Sequence, residues 1–592
     1  MKDDIQVRIA GVAGDGSFLT GDILASALKK FGYYVVTIRD FPSNIRGLPS
    51  NYTVRGSLKP IFGRKDFDDF LIAFDPQSVK MHLKDLTEGS ICICNVEEKT
   101  EFTDNFIKKG VHYIKVPLRD IARKEFSLEL IKNMVAFGML SEIFDFDDVL
   151  INYVVLKHFK RKGERVIELN KKAIQRGREL VREKFKGNES VFLDYRIIKS
   201  EDKRRILAMG NELVSMGAIA AGLRFLAAYP ITPASEVFEF LSKEIPKFGG
   251  VAIQAEDEIA TINMALGASY AGLRSMASSS GPGIALMTEA ISYAGMAEIP
   301  IVIYYAMRSG PATGLPTKTS QEDILFIIFA GHGEFPKIVL TPGTPEEMFY
   351  LTTEAFNLAE EFQVPVIILT DQFLAQNRFT LDRDKIELKK IEIKRGKLVK
   401  VEENSNIPSK DGFLLRYKIE EDGISNRFIP GIKLGVFGTT GLEHDEAGYD
   451  TEDEEVRIKM VEKRMRKIIY IKEKVPKPQI LGPKESIYGI ISFGSTYGPI
   501  IEVIDRFKKK GIDLSFFRIL TLWPFPEEEI KRFAEGKEKI FVVEQNKSGQ
   551  LQFLVENAIP ICKNKIVGVR KYSGRTFRPI EIEEKIREEI EK

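Results

Sequence analysis

Three side chains in this sequence carry chemistry at spacings that a folded sheet could bring together. They are the hydroxyl of Thr232 within YPITPASE (Tyr229 to Glu236), a carboxylate of QAEDE (Gln254 to Glu258), and the guanidinium of Arg308 at the end of IVIYYAMR. Prolines on both sides of Ile231-Thr232 fix φ and bias the residues before them away from helix, so the Thr232 hydroxyl sits on a stiff corner that suits a ligand. Glu256, Asp257 and Glu258 precede a helical stretch rich in Ala, Gly and Met. Acids at that position complement a helix dipole with no function attached. The small apolar helix adds an expectation: at least one of the carboxylates faces a low-dielectric cleft and has a raised pKa. Taken alone, Arg308 reads as half of a surface salt bridge.

The elements that must position these groups follow from the apolar pattern. Val251 to Ile253 and Ile301 to Tyr305 read as buried parallel strands, each ending in polar residues where an open α/β sheet places its ligand crevice. Ser278 to Ser280 with Gly281-Pro282-Gly283 forms a strand-to-helix turn, Asn211 to Leu226 a helix of small residues, and Val364 to Thr370 a further strand ended by Asp371. Nearer the start, Ile5 to Ala10, GVAGDGSFLTG, a helical pattern through Phe31 and Tyr34 to Ile38 make a βαβ opening, whose glycine-rich turn could cradle a phosphate. The same turn needs glycine for packing whether or not anything binds, and the acid for a dinucleotide ribose would have to be Asp40. Gly14-Asp15-Gly16 with Asn44 also resembles the Mg²⁺–diphosphate signature of thiamine enzymes, although Asn44 lies beyond Pro42 instead of directly off the strand. Ser43 to Ser57 reads as a polar loop, Phe70 to Phe74 and Ile91 to Asn95 as strands, Lys157 to Lys186 as one solvated charged helix, and Phe192 to Arg205 as a linker. The stretch from Asp384 to Pro476 is charged and weakly periodic, and its adjacent His444, Asp445 and Glu446 read as a polar loop in preference to a metal site. A last α/β unit has strands at Ile487 to Phe493, Leu514 to Leu520 and Lys539 to Glu544, with no candidate catalytic group.

The chain has 592 residues, 44% of them hydrophobic, and a net charge of +2, so it holds several α/β domains and offers no global electrostatic case for nucleic acid. Its three cysteines, Cys92, Cys94 and Cys562, cannot supply a four-thiolate cluster or zinc site. Few cysteines, no apolar run of membrane-spanning length and no signal peptide at MKDDIQVR point to the cytoplasm and away from a membrane. Abundant Lys, Glu and Ile suggest a thermophile.

At these motifs the chain resembles the α subunit of 2-oxoacid:ferredoxin oxidoreductases, in the form with a γ domain fused at its N-terminus. GVAGDGSFLTGDILASAL and SNIRG resemble the γ opening. GNELVSMGAIAAGLRFLAAYPITPASE, QAEDEIATINMALGASYAG, AMRSGPATGLPTKTSQED and EHDEAG resemble the α part. The resemblance implies a multidomain α/β fold: a Rossmann-like γ-type domain at 1–190, a pyrimidine-binding-type domain at 205–383, a charged connecting region at 384–478 and a transketolase C-terminal-like domain at 479–592. It further implies decarboxylation of a 2-oxoacid on thiamine diphosphate, electron transfer through a [4Fe–4S] cluster to ferredoxin, and acyl transfer to coenzyme A. By motif position Glu258 is the carboxylate against the aminopyrimidine ring, with Glu256 and Asp257 structural. Arg308 and Thr232 bind the substrate, joined by Thr317 and Tyr229. Mg²⁺ and the cluster belong to a separate β subunit, so this chain is half an active site, in a dimer of αβ units.

Two rivals remain at the level of sequence. One is a stand-alone thiamine diphosphate enzyme using Gly14-Asp15-Gly16 and Asn44, and the other is a non-catalytic dinucleotide- or coenzyme-A-binding partner in which YPITP is only a corner. The resemblance favours 2-oxoglutarate or a broad range of 2-oxoacids, but the sequence does not fix the acid. Nor does it name the coenzyme A contacts.

Overall fold

The computed structural model describes residues 2–43, 48–95, 103–186, 190–200, 204–399, 409–432 and 435–592. Asn44 and most of the SNIRG segment therefore lie outside the described residues. The chain divides into two compact units, one of residues 1–208, 377–386 and 578–581, the other of 209–376, 387–577 and 582–592. No described helix is long and apolar enough to cross a membrane.

The first unit is built on an eight-stranded mixed sheet. Its order is His112–Lys115, Leu86–Cys94, Asp68–Ala73, Asp4–Val12, Pro49–Ser57, Tyr34–Asp40, Arg378–Asp382 and Arg205–Met209. The βαβ opening is present as Asp4–Val12, the helix Ser17–Lys30 and Tyr34–Asp40, but its two strands are not neighbours. Pro49–Ser57, expected to be loop, lies between them and is antiparallel to both. Its polar composition conceals a period-two pattern. Tyr52 and Val54 are fully buried in the core, while Asn51, Thr53 and Arg55 are buried on the other side. Two of these polar groups find partners there: Arg55 grips Asp4 with bonds of 3.0 and 2.7 Å, and Arg8 donates to Asn51 at 3.2 Å. Burial of such groups is tolerated because they are paired.

Two further expectations change in this unit. The charged stretch Lys157 to Lys186 is not one helix: Gly163, at φ 91°, separates Asp148–Phe159 from Glu164–Lys184. The second helix is solvated on one face only, since Ile167, Ala173, Ile174 and Val181 are buried. A Cβ on Gly177 would come within 2.1 Å of the Val135 carbonyl oxygen, so glycine is what lets this helix lie against Lys132–Ile143. The expected linker is packed as well, with Tyr195 and Ile197 in the core.

The second unit carries a seven-stranded sheet ordered Thr521–Trp523, Ile338–Leu340, Pro365–Asp371, Ile301–Met307, Ser275–Ser279, Phe225–Ala228 and Val251–Gln254. All its pairings are parallel except that of Thr521–Trp523. The run of buried residues along Ile301–Met307 and Pro365–Asp371 is what parallel strands covered on both faces require. Val251–Gln254, expected to be buried, is the edge strand, and Val251 is exposed in this chain. Asn211 to Leu226 is not one helix: the helix is Gly210–Ala220, Gly222 turns the chain at φ 84°, and Leu226 is in a strand. A second sheet, ordered Gln479–Leu481, Ser515–Ile519, Tyr488–Phe493, Lys539–Glu544 and Ile566–Arg570, shares one core with the first through Ile303, Leu369, Ile491, Phe517 and Ile540. In the connecting region, the helix Glu454–Lys474 brings Lys463 and Lys467 onto the fully buried Glu298.

Candidate functional site

The carboxyl edge of the seven-stranded sheet gathers the candidate residues. In register, Met307 pairs with Asp371, Ser279 with Tyr305, and Ser278 with Ala228, which also pairs with Gln254. The residues that follow these pairs are Arg308, Ser280, Tyr229 and Ala255, so the chain leaves neighbouring strands side by side where an open sheet forms its crevice.

A buried polar network fixes the YPITP corner. Asn211 Nδ2 donates to the Pro233 carbonyl and to Glu236 Oε2, both at 2.8 Å. Tyr304 OH donates to Asn211 Oδ1 at 2.6 Å, and Thr370 Oγ1 donates to Tyr304 OH at 3.1 Å. Burial pushes the Tyr304 phenol far above its ordinary range, so it remains a neutral donor. Thr232 stands in the resulting turn, and its carbonyl accepts a 2.8 Å hydrogen bond from Arg308 Nη1.

The three acids of QAEDE separate cleanly. Asp257 caps the helix Glu258–Tyr270 by accepting from the Ala260 N–H at 2.7 Å, and it is exposed, as is Glu256. That is the structural duty the helix dipole predicts. Glu258 is different, being only 6% exposed. Its carboxylate lies against Gly283 and Ser279: a Cβ on Gly283 would fall 2.5 Å from Glu258 Oε1 and 2.0 Å from Ser279 Oγ. The buried hydroxyls of Ser278, Ser279 and Ser280 have no hydrogen-bond partner. Successive extended residues face opposite sides of a sheet, so Ser279 is the one of the three that shares the Gly283 contact with Glu258, and its buried hydroxyl is costly unless something else completes it.

Arg308, 7% exposed, is not a surface residue. Burial lowers its guanidinium pKa, with Tyr305 and Asp323 acting in the opposite direction, and its Nε has no partner. It lines a cavity of about 300 Å³ together with Gly281, Pro282, Ala285, Pro311, Asp323 and Phe326. Gly281 and Pro282 border this cavity and Gly283, next along the helix, touches Glu258, so the two candidate charges flank one helix start. Thr317 is buried in the segment after Arg308, and Tyr229 is 40% exposed. Glu258, Thr232, Tyr229 and Thr317 are not among the residues that line the cavity.

Sequence reasoning missed the acids on this edge. Asp323 accepts from Tyr305 OH at 2.6 Å, and burial raises its pKa. Glu322 accepts from Gly310 N at 2.9 Å, fixing the loop after Arg308. Asp371 is fully buried and is pushed up to about 6 by burial, which Ser495, Leu374 N–H and Thr319 oppose. The signal available was the QED tripeptide following GLPTKTS and the two adjacent tyrosines inside an otherwise apolar strand.

The glycine-rich turn of the first unit has a different character. Asp15 is held by Lys132 at 2.9 Å and by Arg119 at 3.3 Å, and Asn133 Nδ2 donates to the Asp15 carbonyl at 2.8 Å. A carboxylate satisfied by two cations is poorly placed to bind Mg²⁺, which removes the physical basis for a stand-alone thiamine site using Gly14-Asp15-Gly16. Among the described residues no group of three or more His, Cys, Asp or Glu side chains is arranged to hold a metal ion.

Comparison with known proteins identifies the family. Residues 6–180 match the family described as pyruvate ferredoxin/flavodoxin oxidoreductase, 216–463 its thiamine diphosphate-binding region, and 487–582 pyruvate:ferredoxin oxidoreductase core domain II. The chain is 34% identical to 2-oxoacid:ferredoxin oxidoreductase 2, subunit alpha, of Aeropyrum pernix, over 98% of this chain and 96% of that protein. It is 34% identical to the 2-oxoglutarate synthase subunit KorA of Methanothermobacter thermautotrophicus over 63% of this chain and 96% of that one. Among solved structures, 2-oxoglutarate:ferredoxin oxidoreductase from Magnetococcus marinus, determined with 2-oxoglutarate, coenzyme A and succinyl-CoA bound, superposes with a TM-score of 0.90 at 33% identity over 100% of both chains. Relatives more than 30% identical along almost the whole sequence, and a shared fold from end to end, establish that the chain belongs to the 2-oxoacid:ferredoxin oxidoreductase family as an α subunit.

Proposed function

We propose that this chain, assembled with a β subunit, oxidatively decarboxylates 2-oxoacids, 2-oxoglutarate or a broad range of them, to acyl-coenzyme A and CO₂ with electrons passed to ferredoxin. The observation that carries the reading is the pair of buried groups at one carboxyl edge, Glu258 on one side of the helix start at Gly281 and Arg308 on the other. The residues fit the aminopyrimidine half of thiamine diphosphate: a buried carboxylate, a glycine whose missing Cβ leaves it room, and the unpartnered Ser279 hydroxyl at the same glycine. When bound, that cofactor supplies a carbon nucleophile for the keto carbon and an electron sink for decarboxylation. Glu258 is assigned the hydrogen bond to the ring nitrogen, and the surrounding apolar helix keeps water from that proton. Arg308 takes the substrate carboxylate, a role for which a buried guanidinium held by a neutral carbonyl is suited. Thr232 and Thr317 donate to the same substrate, and Tyr229 borders it.

Mg²⁺, the diphosphate contacts and the [4Fe–4S] cluster are assigned to the β subunit, in a dimer of αβ units. Exposed apolar side chains on the segments that carry the site, Tyr229, Ile259, Leu286, Leu315 and Phe329, support a partner covering that face. The functional division is part of the same reading, with 1–190 as the γ-type domain, 205–383 as the pyrimidine-type domain, 384–478 as the connecting region and 479–592 as the transketolase C-terminal-like domain. The test is to co-produce the chain with its β subunit and assay a panel of 2-oxoacids for coenzyme-A-dependent ferredoxin reduction. Turnover that needs both subunits, thiamine diphosphate and coenzyme A supports the proposal, and a reconstituted complex inert towards every 2-oxoacid rules it out.

A further inference from the structure

The last α/β unit offers no catalytic group in its sequence, yet one of its turns reaches the loop behind Arg308. The turn is EQNKSGQ, Glu544 to Gln550, between the strand Lys539–Glu544 and the helix Gln550–Ala558. It is braced from within: Asn546 Oδ1 accepts from the Gly549 and Gln550 N–H groups at 2.8 and 3.3 Å, and the buried Glu544 carboxylate accepts from Leu551 N–H, Gln552 N–H and Asn546 Nδ2 at 2.7, 3.0 and 2.6 Å. Its other polar groups meet the backbone of one segment, Gln321 to Leu325. Asn546 Nδ2 also donates to the Gln321 carbonyl at 3.0 Å, Gln321 N–H donates to the Gln545 carbonyl at 2.9 Å, and Gln545 N–H returns a 3.0 Å bond to Gln321 Oε1. Gln550 Nε2 donates to the Glu322 carbonyl at 2.5 Å while its Oε1 accepts from Leu325 N–H at 2.9 Å. Directional bonds of this kind fix a register, which apolar contact alone does not.

The segment held in this way closes the loop that starts at Arg308. Glu322 accepts from Gly310 N–H at 2.9 Å and from Ser309 Oγ at 3.4 Å, and these are the two residues after the arginine. Within the loop, Ser309 N–H donates to the Lys318 carbonyl at 3.2 Å and Leu315 N–H to the Ser309 carbonyl at 2.9 Å. Arg308 Nη1 meets the Thr232 carbonyl and its Nε has no partner, so the aim of the guanidinium depends on where its backbone is set. We infer that Gln550, with Asn546 beside it, is a positioning residue for the substrate arginine: its amide fixes Glu322, and Glu322 fixes the chain that carries Arg308. The inference rests on the role proposed for Arg308. No residue of EQNKSGQ lines the cavity at Arg308, so the turn acts through the loop and not by touching substrate. A misplacement of about 1 Å costs on the order of a hundredfold in rate, and slackening one end of the loop should cost about tenfold. The loss belongs to substrate binding, because Glu258 stands on a different element, the helix Glu258–Tyr270.

Gln550→Glu keeps the acceptor for Leu325 N–H and turns the donor into an oxygen facing the Glu322 carbonyl. In the αβ complex with 2-oxoglutarate it is expected to lower kcat/KM about tenfold, chiefly through KM, and to leave thiamine diphosphate affinity within about twofold of wild type. Made on top of Arg308→Ala, the same substitution should cost less than about twofold, since the group it positions is already gone. An equal factor in both backgrounds overturns the inference, as do single-variant kinetics within about twofold of wild type or a parallel loss of thiamine diphosphate affinity. Should Gln550→Glu not assemble, Glu322→Ala is read in the same two backgrounds, because it cuts the link at the loop end and leaves the turn intact. Wild-type rates for Arg308→Ala alone, or a wild-type complex inert towards every 2-oxoacid, overturn the functional reading, whereas equal factors in the two backgrounds overturn this inference only.

Discussion

Gly283→Ala tests the packing of the site through a substitution that a helix would ordinarily welcome. At an open helical position, replacing glycine with alanine stabilises by about 1 kcal/mol through propensity alone. Gly283 is in the first turn of the helix Gly281–Met296, but the added Cβ would fall 2.0 Å from Ser279 Oγ and 2.5 Å from Glu258 Oε1. Neither neighbour can yield freely, because both are buried. Overpacking of this kind costs about 1–3 kcal/mol, which cancels or exceeds the propensity gain. The larger effect is on function: moving a catalytic carboxylate by about 1 Å costs on the order of a hundredfold in rate. Gly267→Ala is the control, since it lies on the helix Glu258–Tyr270 with nothing within 4 Å of its would-be Cβ. In thermal unfolding of the isolated chain, Gly267→Ala should raise Tm and Gly283→Ala should not. In the assembled complex, Gly283→Ala should lower kcat/KM about a hundredfold. Wild-type activity together with a raised Tm in Gly283→Ala would refute the claim that the glycine exists to admit the Glu258 carboxylate.

Other expectations follow from the same coordinates. Arg308→Ala should lower kcat/KM for any 2-oxoacid at least about a hundredfold, and Arg308→Lys should recover only part of this because the lysine cannot bind a carboxylate bidentately; equal rates for arginine and lysine would count against the assignment. Asp371, with its folded pKa pushed up to about 6, stabilises the chain fully below its unfolded pKa and loses that contribution as pH rises through the folded value. The Tm of Asp371→Asn relative to wild type should therefore climb from about pH 4 to about pH 7, and a difference independent of pH would contradict it. Burial alone would raise the Glu298 pKa, but Lys463, Lys467 and Arg416 outweigh it and keep the carboxylate ionised. Glu298→Gln would strand two buried ammonium groups and should cost about 3–5 kcal/mol in denaturant unfolding, whereas a change near zero would show that the cluster relaxes.

Much of the candidate site was legible in the sequence because its residues sit where pattern and chain direction coincide. A glycine-punctuated apolar strand announces its own carboxyl end, and Arg308, Ser280 and Tyr229 stand at such ends. What was not legible depended on partners far away in the chain. Pro49–Ser57 looked like loop because Arg55 and Asn51 become strand residues only once Asp4 and Arg8 supply their hydrogen bonds. Tyr195 and Ile197 looked like linker because VFLDYRII, though apolar at six of its eight positions, is short and set between polar and charged sequence on both sides. Asp323 escaped notice because an aspartate before a short helix resembles a cap, and only the phenol of Tyr305 and the cavity shared with Arg308 set it apart. Likewise, Glu256, Asp257 and Glu258 are equivalent by composition, and burial is what separates them.

That separation is also the most direct point of test. Glu258→Gln and Glu256→Gln should be compared in the same αβ complex, by 2-oxoacid-driven ferredoxin reduction and by thiamine diphosphate affinity in the absence of substrate. The account predicts a loss of at least about a hundredfold in kcat/KM with weakened cofactor binding for the buried acid, and near wild-type behaviour for the exposed one. Equal activity in the two variants would contradict it.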